Sequence, residues 1–210
     1  MRHLGSLLSL ASSLAGAYAI SVEPGSLRSN GAIAPISVDT AQPRLTWRLA
    51  STIRGDNQTA YQIQAASSKS QVASPDLWDS GRVASTDAFA VYNGRALASR
   101  SAVFYRVRVW DVKGSASEWS DISTFEISLL SSSDWKASWI TNPQFATGTN
   151  SLPLFAKEFD ISCPVTKGRL YLLGLGVQAA ELNGQKVGDD ILMQGYTTVN
   201  KTLLYSTYGM

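Results

Sequence analysis

Two patterns in this chain place chemically able side chains together: carboxylates around a tight turn, and a ribbon in which arginines alternate with aromatic rings. The carboxylates are Glu181, Asp189 and Asp190, which flank "NGQKVG". Glycoside hydrolysis needs an acid and a base roughly 5 to 9.5 Å apart, with one of them buried enough to stay protonated. Glu181 with Asp189 or Asp190 is the best local pair, yet an open hairpin offers no such burial, so these charges read as a solvated face and no catalytic residue is assigned. The only histidine is His3 and the only cysteine is Cys163. With His3 in an N-terminal leader, the remaining chain has no imidazole, which excludes Ser-His-Asp and Cys-His nucleophiles and most zinc sites. No metal or cofactor is expected. Cys163, followed by Pro164, reads as a small buried side chain. "GLG" at Gly174 to Gly176 lacks the third glycine and the helix of a nucleotide loop, and reads as a strand kink or a close backbone approach.

The ribbon is "YRVRVWDVKGSASEWS", Tyr105 to Ser120. Basic and aromatic residues in alternation can grip a polyanion, but the same alternation is what one hairpin of a packed sandwich requires. Charge decides between them. Lys plus Arg is 18 against 16 for Asp plus Glu, and removal of a leader carrying Arg2 brings the balance nearer to neutral, so no long-range pull on nucleic acid arises. Strand geometry puts Tyr105, Val107 and Val109 on a core face and Arg106, Arg108 and Trp110 on the other. The return arm brings Trp119 to that second face, where its ring can lie between the Arg106 and Arg108 guanidinium groups as a cation–π stack.

The elements that position these residues are short. Apolar-alternating runs recur as "RLTWRL", "TAYQIQAAS", "LWDSGRV", "AFAVYNG", "AVFYRVRVW" and "ISTFEI", separated by "RGDN", "SPD", "NGR" and "VKGSAS". Strands at this spacing with turn compositions between them predict an all-β, antiparallel sandwich. Residues 1–19 read as a secretory signal: Arg2 and His3, an apolar run from Leu4 to Leu14, and the cleavage signal Ala17-Tyr18-Ala19. A secreted, extracellular product without a membrane span is expected. The sequons at Asn57 and Asn200 are glycan acceptors in a eukaryotic host. The serine cluster and paired tryptophans of "SLLSSSDWKASWI" mark a boundary, giving a first domain over 20–130 and a second over 131–210. Strand signals then resume with "LPLFAKEFDI", "GRLYLLGLG", "VQAAELNGQKVGDD" and "TLLYSTYG". Asn183-Gly184 predicts a type I′ hairpin, which needs φ > 0 at both positions.

At Tyr105 to Ser120 the chain resembles a fibronectin type III domain. More widely, "AQPRLTWRL", "QTAYQIQAASS", "LWDSGRV", "SDWKASWI", "LFAKEFDI", "RLYLLGLG", "LNGQKVGDD" and "LLYSTY" together resemble the N-terminal region of secreted or bacterial-type α-L-rhamnosidases, over nearly all of residues 38–208. The resemblance implies a fibronectin III-like sandwich followed by an incomplete, jelly-roll-like second sandwich. It also implies a parent enzyme that hydrolyses terminal α-L-rhamnose from glycosides with inversion, using two glutamates in an (α/α)6 barrel. This chain contains no such barrel, so the expectation is a non-catalytic N-terminal fragment whose parent acts on rhamnose-containing glycosides. In the family the second domain helps recognise sugar, in some members with calcium. Asn183 and Tyr196 are the candidate sugar contacts here, Tyr196 being equally suited to core or edge packing. Val177, Gln178 and Ala179, and the run Gly195 to Val199, depart from the family's aromatic and acidic pattern, so no further contact is carried over. The alternative reading is a stand-alone secreted β-sandwich binding module without enzymatic activity. An incomplete second domain would expose apolar strand faces and favour self-association.

Overall fold

The computed structural model describes residues 20–142, 153–191 and 197–210. The expected leader and Tyr196 lie outside them. The first domain is built from β1 (Ile20–Val22), β2 (Arg28–Ser29), β3 (Arg44–Thr46), β4 (Leu49–Ser51), β5 (Ala60–Ala66), β6 (Trp78–Asp79), β7 (Val83–Ala84), β8 (Phe89–Val91), β9 (Ala102–Trp110) and β10 (Ser123–Glu126). One sheet runs β10-β9-β5-β6, with β7 also on β5. Facing it are the three strands β2-β3-β8 and the pair β1-β4. Every pairing between these strands is antiparallel, and the result is a two-layered β-sandwich.

β9 is the central strand because its alternation is the most complete. Val103, Tyr105, Val107 and Val109 are all fully buried, as a strand with one face in the core demands. Its long partner is β5, in a register that sets Ala60 opposite Trp110 and Ala66 opposite Phe104. Ile63 and Ala65 of β5 join Leu45, Trp47, Ala90 and Tyr92 from the opposite sheet in one core cluster. Trp47 is a polar-tipped ring deep in this core, and its Nε1 donates to Gln58 Oε1 at 2.9 Å. That contact supplies the partner a buried indole N–H needs. At the end of β9 the chain turns on Asp111, whose Oδ1 accepts from the Lys113 and Ser115 amides at 2.9 and 2.7 Å. Gly114 takes φ 82° there, a conformation that glycine adopts without steric cost.

Beyond the sandwich the chain caps a short 3₁₀ turn, Ser132–Asp134, with a capping box from Ser131 and Asp134. Four further strands follow: β11 (Arg169–Leu172), β12 (Glu181–Leu182), β13 (Gln185–Lys186) and β14 (Ser206–Gly209). β11 pairs with β14, and β12 with β13, as separate two-stranded ribbons. Asn183 and Gly184 form the β12–β13 turn with φ 52° and 76°, the backbone a type I′ turn requires. "LFAKEFDI" is a correction to the strand reading: residues 154–161 form no ladder and are exposed. A strand is defined by its partner, and among the described residues none pairs with this segment. No helix among the described residues is long and apolar enough to cross a membrane.

Ile63 is fully buried between the two sheets, so Ile63→Ala is expected to cost about 2 to 5 kcal/mol. Val91, on the same domain but half exposed, should stay within about 0.5 kcal/mol on change to Ala. Denaturant melts of the two variants against the parent check the contrast.

Candidate functional site

The outer face of the β10-β9-β5-β6 sheet carries the densest polar and aromatic constellation in the sandwich. Arg106 and Arg108 project from β9 on the face opposite the core. Arg106 donates through Nε and Nη2 to Gln64 Oε1 at 3.1 and 2.7 Å, and Arg108 does the same to Gln62 Oε1 at 3.0 and 2.7 Å. The two glutamine amides then donate to one carboxylate, Asp79, at 2.6 and 2.9 Å. Burial pushes the Asp79 carboxyl up, but donation from Gln64, Gln62 and the Gly81 amide, with the charge of Arg108, brings it below its usual range. Burial, reinforced by the neighbouring Arg108, holds Arg106 below the ordinary guanidinium value.

Trp119 completes this face. Its ring lies 4.4 Å from the Arg106 Cζ and 4.6 Å from the Arg108 Cζ. Arg108 also lies 5.0 Å from the Trp110 ring, and Arg82 lies 5.1 Å from that same ring. Cations and rings therefore alternate across the sheet. The arm that carries Trp119 is held by serines: Ser117 and Ser120 donate their amides to the Val109 and Val107 carbonyls, both at 2.8 Å. Their hydroxyls accept from the Val109 and Val107 amides at 3.1 and 3.0 Å. Serine hydroxyls thus take the place of backbone carbonyls as acceptors for the β9 amides, while the arm between them carries Trp119 to the arginines. The guanidinium groups are committed to glutamines and rings, so the face is built to be rigid.

The remaining sequence candidates lie apart from it and from one another. Asn183 sits exposed at the β12–β13 turn, and Glu181, Asp189 and Asp190 are exposed nearby. Asn57 is exposed with its Nδ2 donating to Gly55 O at 3.1 Å, and Asn200 is exposed in a turn. Cys163 corrects the buried reading: it is a free, exposed thiol, because the segment around Cys163-Pro164 has no ladder to bury it. Gly174 lies against the end of the Gln178 side chain, a close approach within the strand-to-turn region. Among the described residues no group of three or more His, Cys, Asp or Glu is arranged to hold a metal ion.

A second constellation has no counterpart in the sequence reading. It lies where the β11/β14 ribbon meets the sandwich. Glu126, at the end of β10, accepts from Arg169 Nε and Nη2 at 2.9 and 2.8 Å, a bidentate pair. Lys167 Nζ adds a third contact at 2.7 Å. The Tyr205 hydroxyl accepts from the Leu129 amide at 2.9 Å, and its ring lies between Trp135 and Tyr171 at centroid distances of 5.6 and 6.1 Å. Thr207 donates to Ser37 at 3.1 Å. Arg100 sits 5.7 Å from the Tyr171 ring and donates to Asp134 O at 2.9 Å. Burial pushes the Glu126 carboxyl up, but Arg169 and Lys167 outweigh it and hold it below its usual value. Sequence patterns register neighbours along a strand, and Glu126 with Arg169 is a contact between strands of different sheets, so no spacing signals it.

Comparison with known proteins places this geometry. Residues 24–131 match the family described as the Rha78A-like, N-terminal immunoglobulin domain. Residues 164–210 match the α-L-rhamnosidase N-terminal domain. An α-L-rhamnosidase of Formosa agariphila is 36% identical over 184 residues, covering 83% of this chain and 20% of that protein. One from Streptomyces avermitilis is 46% identical over 119 residues, covering 56% of this chain and 12% of its own length. The solved structure of an α-L-rhamnosidase from Dictyoglumus thermophilum superimposes with a TM-score of 0.79 at 31% identity, over 89% of this chain and 23% of that one. The chain spans at most about a fifth of the length of these two curated relatives.

Two outcomes follow from the geometry. Trp119 is half-buried between its arginines, so Trp119→Ala should destabilise the sandwich by about 2 to 3 kcal/mol, below the range for a ring deleted from a core, while Trp119→Phe keeps much of the stack. Denaturant midpoints of the two variants measure this. For Glu126, whose carboxyl is depressed in the folded chain, the stabilisation is present in full above the unfolded glutamate value and is lost as pH falls through the lower folded value. Wild type and Glu126→Gln should therefore differ most above about pH 4.3 and converge in stronger acid, read as exchange protection of β11 and β14 across that range.

Proposed function

Because the chain belongs to the α-L-rhamnosidase family, we propose that it is the non-catalytic N-terminal portion of a secreted member of it. The parent enzyme removes terminal α-L-rhamnose from glycosides, and rhamnose-containing glycosides are the ligands of that whole protein. The observation that carries the reading is the order of the two family matches: the immunoglobulin domain at 24–131 precedes the rhamnosidase N-terminal domain at 164–210. The chemistry on the described residues supports it. Glu181, Asp189 and Asp190 are exposed on an open hairpin, whereas glycoside cleavage places its carboxyl pair in a shielded site. The sandwich contributes a rigid, ring-braced body ahead of the domain that follows. The leader over residues 1–19 supports export with a mature start at Ile20.

The experiment is expression with the native leader, N-terminal sequencing of the exported product, and assay on an aryl α-L-rhamnoside. The mature chain should begin at Ile20 and release no nitrophenol above a heat-killed control. Turnover that is abolished by Glu181→Gln would sink the non-catalytic reading, and retention of the leader inside the cell would sink the secreted one.

A further inference from the structure

The two halves of this chain are unequally supplied with core. The sandwich has a closed apolar cluster with fully buried residues from both sheets. Among the described residues the last buried one is Ser128, and every described residue after it is at least partly exposed. Large apolar side chains there are open to solvent, among them Leu154, Phe159, Leu175 and Ile191. An isolated two-stranded ribbon is marginal in water at best. Yet β11 and β14 are paired over four residue positions, from Arg169 opposite Gly209 to Leu172 opposite Ser206.

The order of that ribbon has a visible source. The longest half-buried stretches of the second segment are residues 168–174 and 205–208, which are β11, β14 and their flanks. These are the residues that meet the sandwich: Arg169 on Glu126, Tyr205 on the Leu129 backbone, Thr207 on Ser37, and Tyr171 against Arg100. We infer that the sandwich is an intramolecular docking platform that holds the β11/β14 ribbon in register, with Glu126 as its anchoring positioning residue.

Glu126 suits that role physically. Its side chain is 14% exposed and that of Arg169 is 20% exposed, so the pair is shielded from solvent. A bidentate carboxylate–guanidinium contact fixes orientation as well as proximity. Removing one partner from such a shielded pair leaves the other charge uncompensated. Lys167 is more exposed, at 46%, and contributes little by comparison. Among the described residues the sandwich core draws on no residue of the ribbon, and no residue of β11 or β14 is fully buried. This inference does not rest on the rhamnosidase reading.

The test is hydrogen exchange by mass spectrometry on the full chain carrying Glu126→Gln, Arg169→Gln, both together, or Tyr205→Phe. Each single substitution at the ion pair should speed exchange at residues 169–172 and 206–209 about tenfold or more, with β5 and β9 unchanged. The double variant should lose no more than either single, the signature of one shared contact. Additive losses at the pair would overturn the anchoring role of Glu126. Unchanged ribbon exchange in all four variants would show that the ribbon holds itself, and equal loss across β5 and β9 would show that Glu126 serves the sandwich; either overturns the platform.

Discussion

The antiparallel pairing of β5 with β9 is the constraint from which the rest of this molecule follows. It sets Ala60 opposite Trp110 and runs unbroken to Ala66 opposite Phe104. A side-chain period of two means that this one register decides both faces of the sheet together. Ile63 and Ala65 turn inward with Val103, Tyr105, Val107 and Val109, closing the core against Leu45, Trp47 and Tyr92. On the outside the same register brings Gln64 beside Arg106 and Gln62 beside Arg108. A slip of one residue would invert both arrangements, burying arginines and exposing valines.

The outer face reinforces that register. Each arginine is tied to the glutamine opposite, each glutamine to Asp79, and the rings of Trp119 and Trp110 lie against the guanidinium groups. Ser117 and Ser120 serve as surrogate ladder partners for β9. They allow the return arm to leave regular strand geometry without leaving the Val107 and Val109 amides unsatisfied, which would carry a penalty next to a core. Basic and aromatic residues that in another setting would bind a polyanion are here consumed in bracing a sheet.

The second segment depends on what the sandwich offers at one end. Glu126 lies at the end of β10, Leu129 just beyond it, and Ser37 beside Val38, which bridges to Ile127. These groups converge where the chain leaves the sandwich, so the ribbon that follows meets a polar, partly shielded surface. Residues 164–210, which match the α-L-rhamnosidase N-terminal domain, are tied to the sandwich through the Glu126–Arg169 ion pair on their first described strand.

Much of this was legible in the chain itself. The period-two alternation of β9 named its core face, the interspersed turn residues named an antiparallel all-β class, and Asn183-Gly184 named a hairpin, because each is a local rule acting on neighbouring residues. The near-neutral charge directed the arginines toward packing. Three things were decided only by the tertiary structure. "LFAKEFDI" alternates like a strand but forms no ladder, since pairing requires a partner that alternation cannot supply. Cys163 is exposed because the fold around it has no core, a property of the assembled chain and not of the residue. Glu126 and Arg169 meet across more than forty positions, between strands of two different sheets, and partial shielding from solvent strengthens the attraction between the two charges.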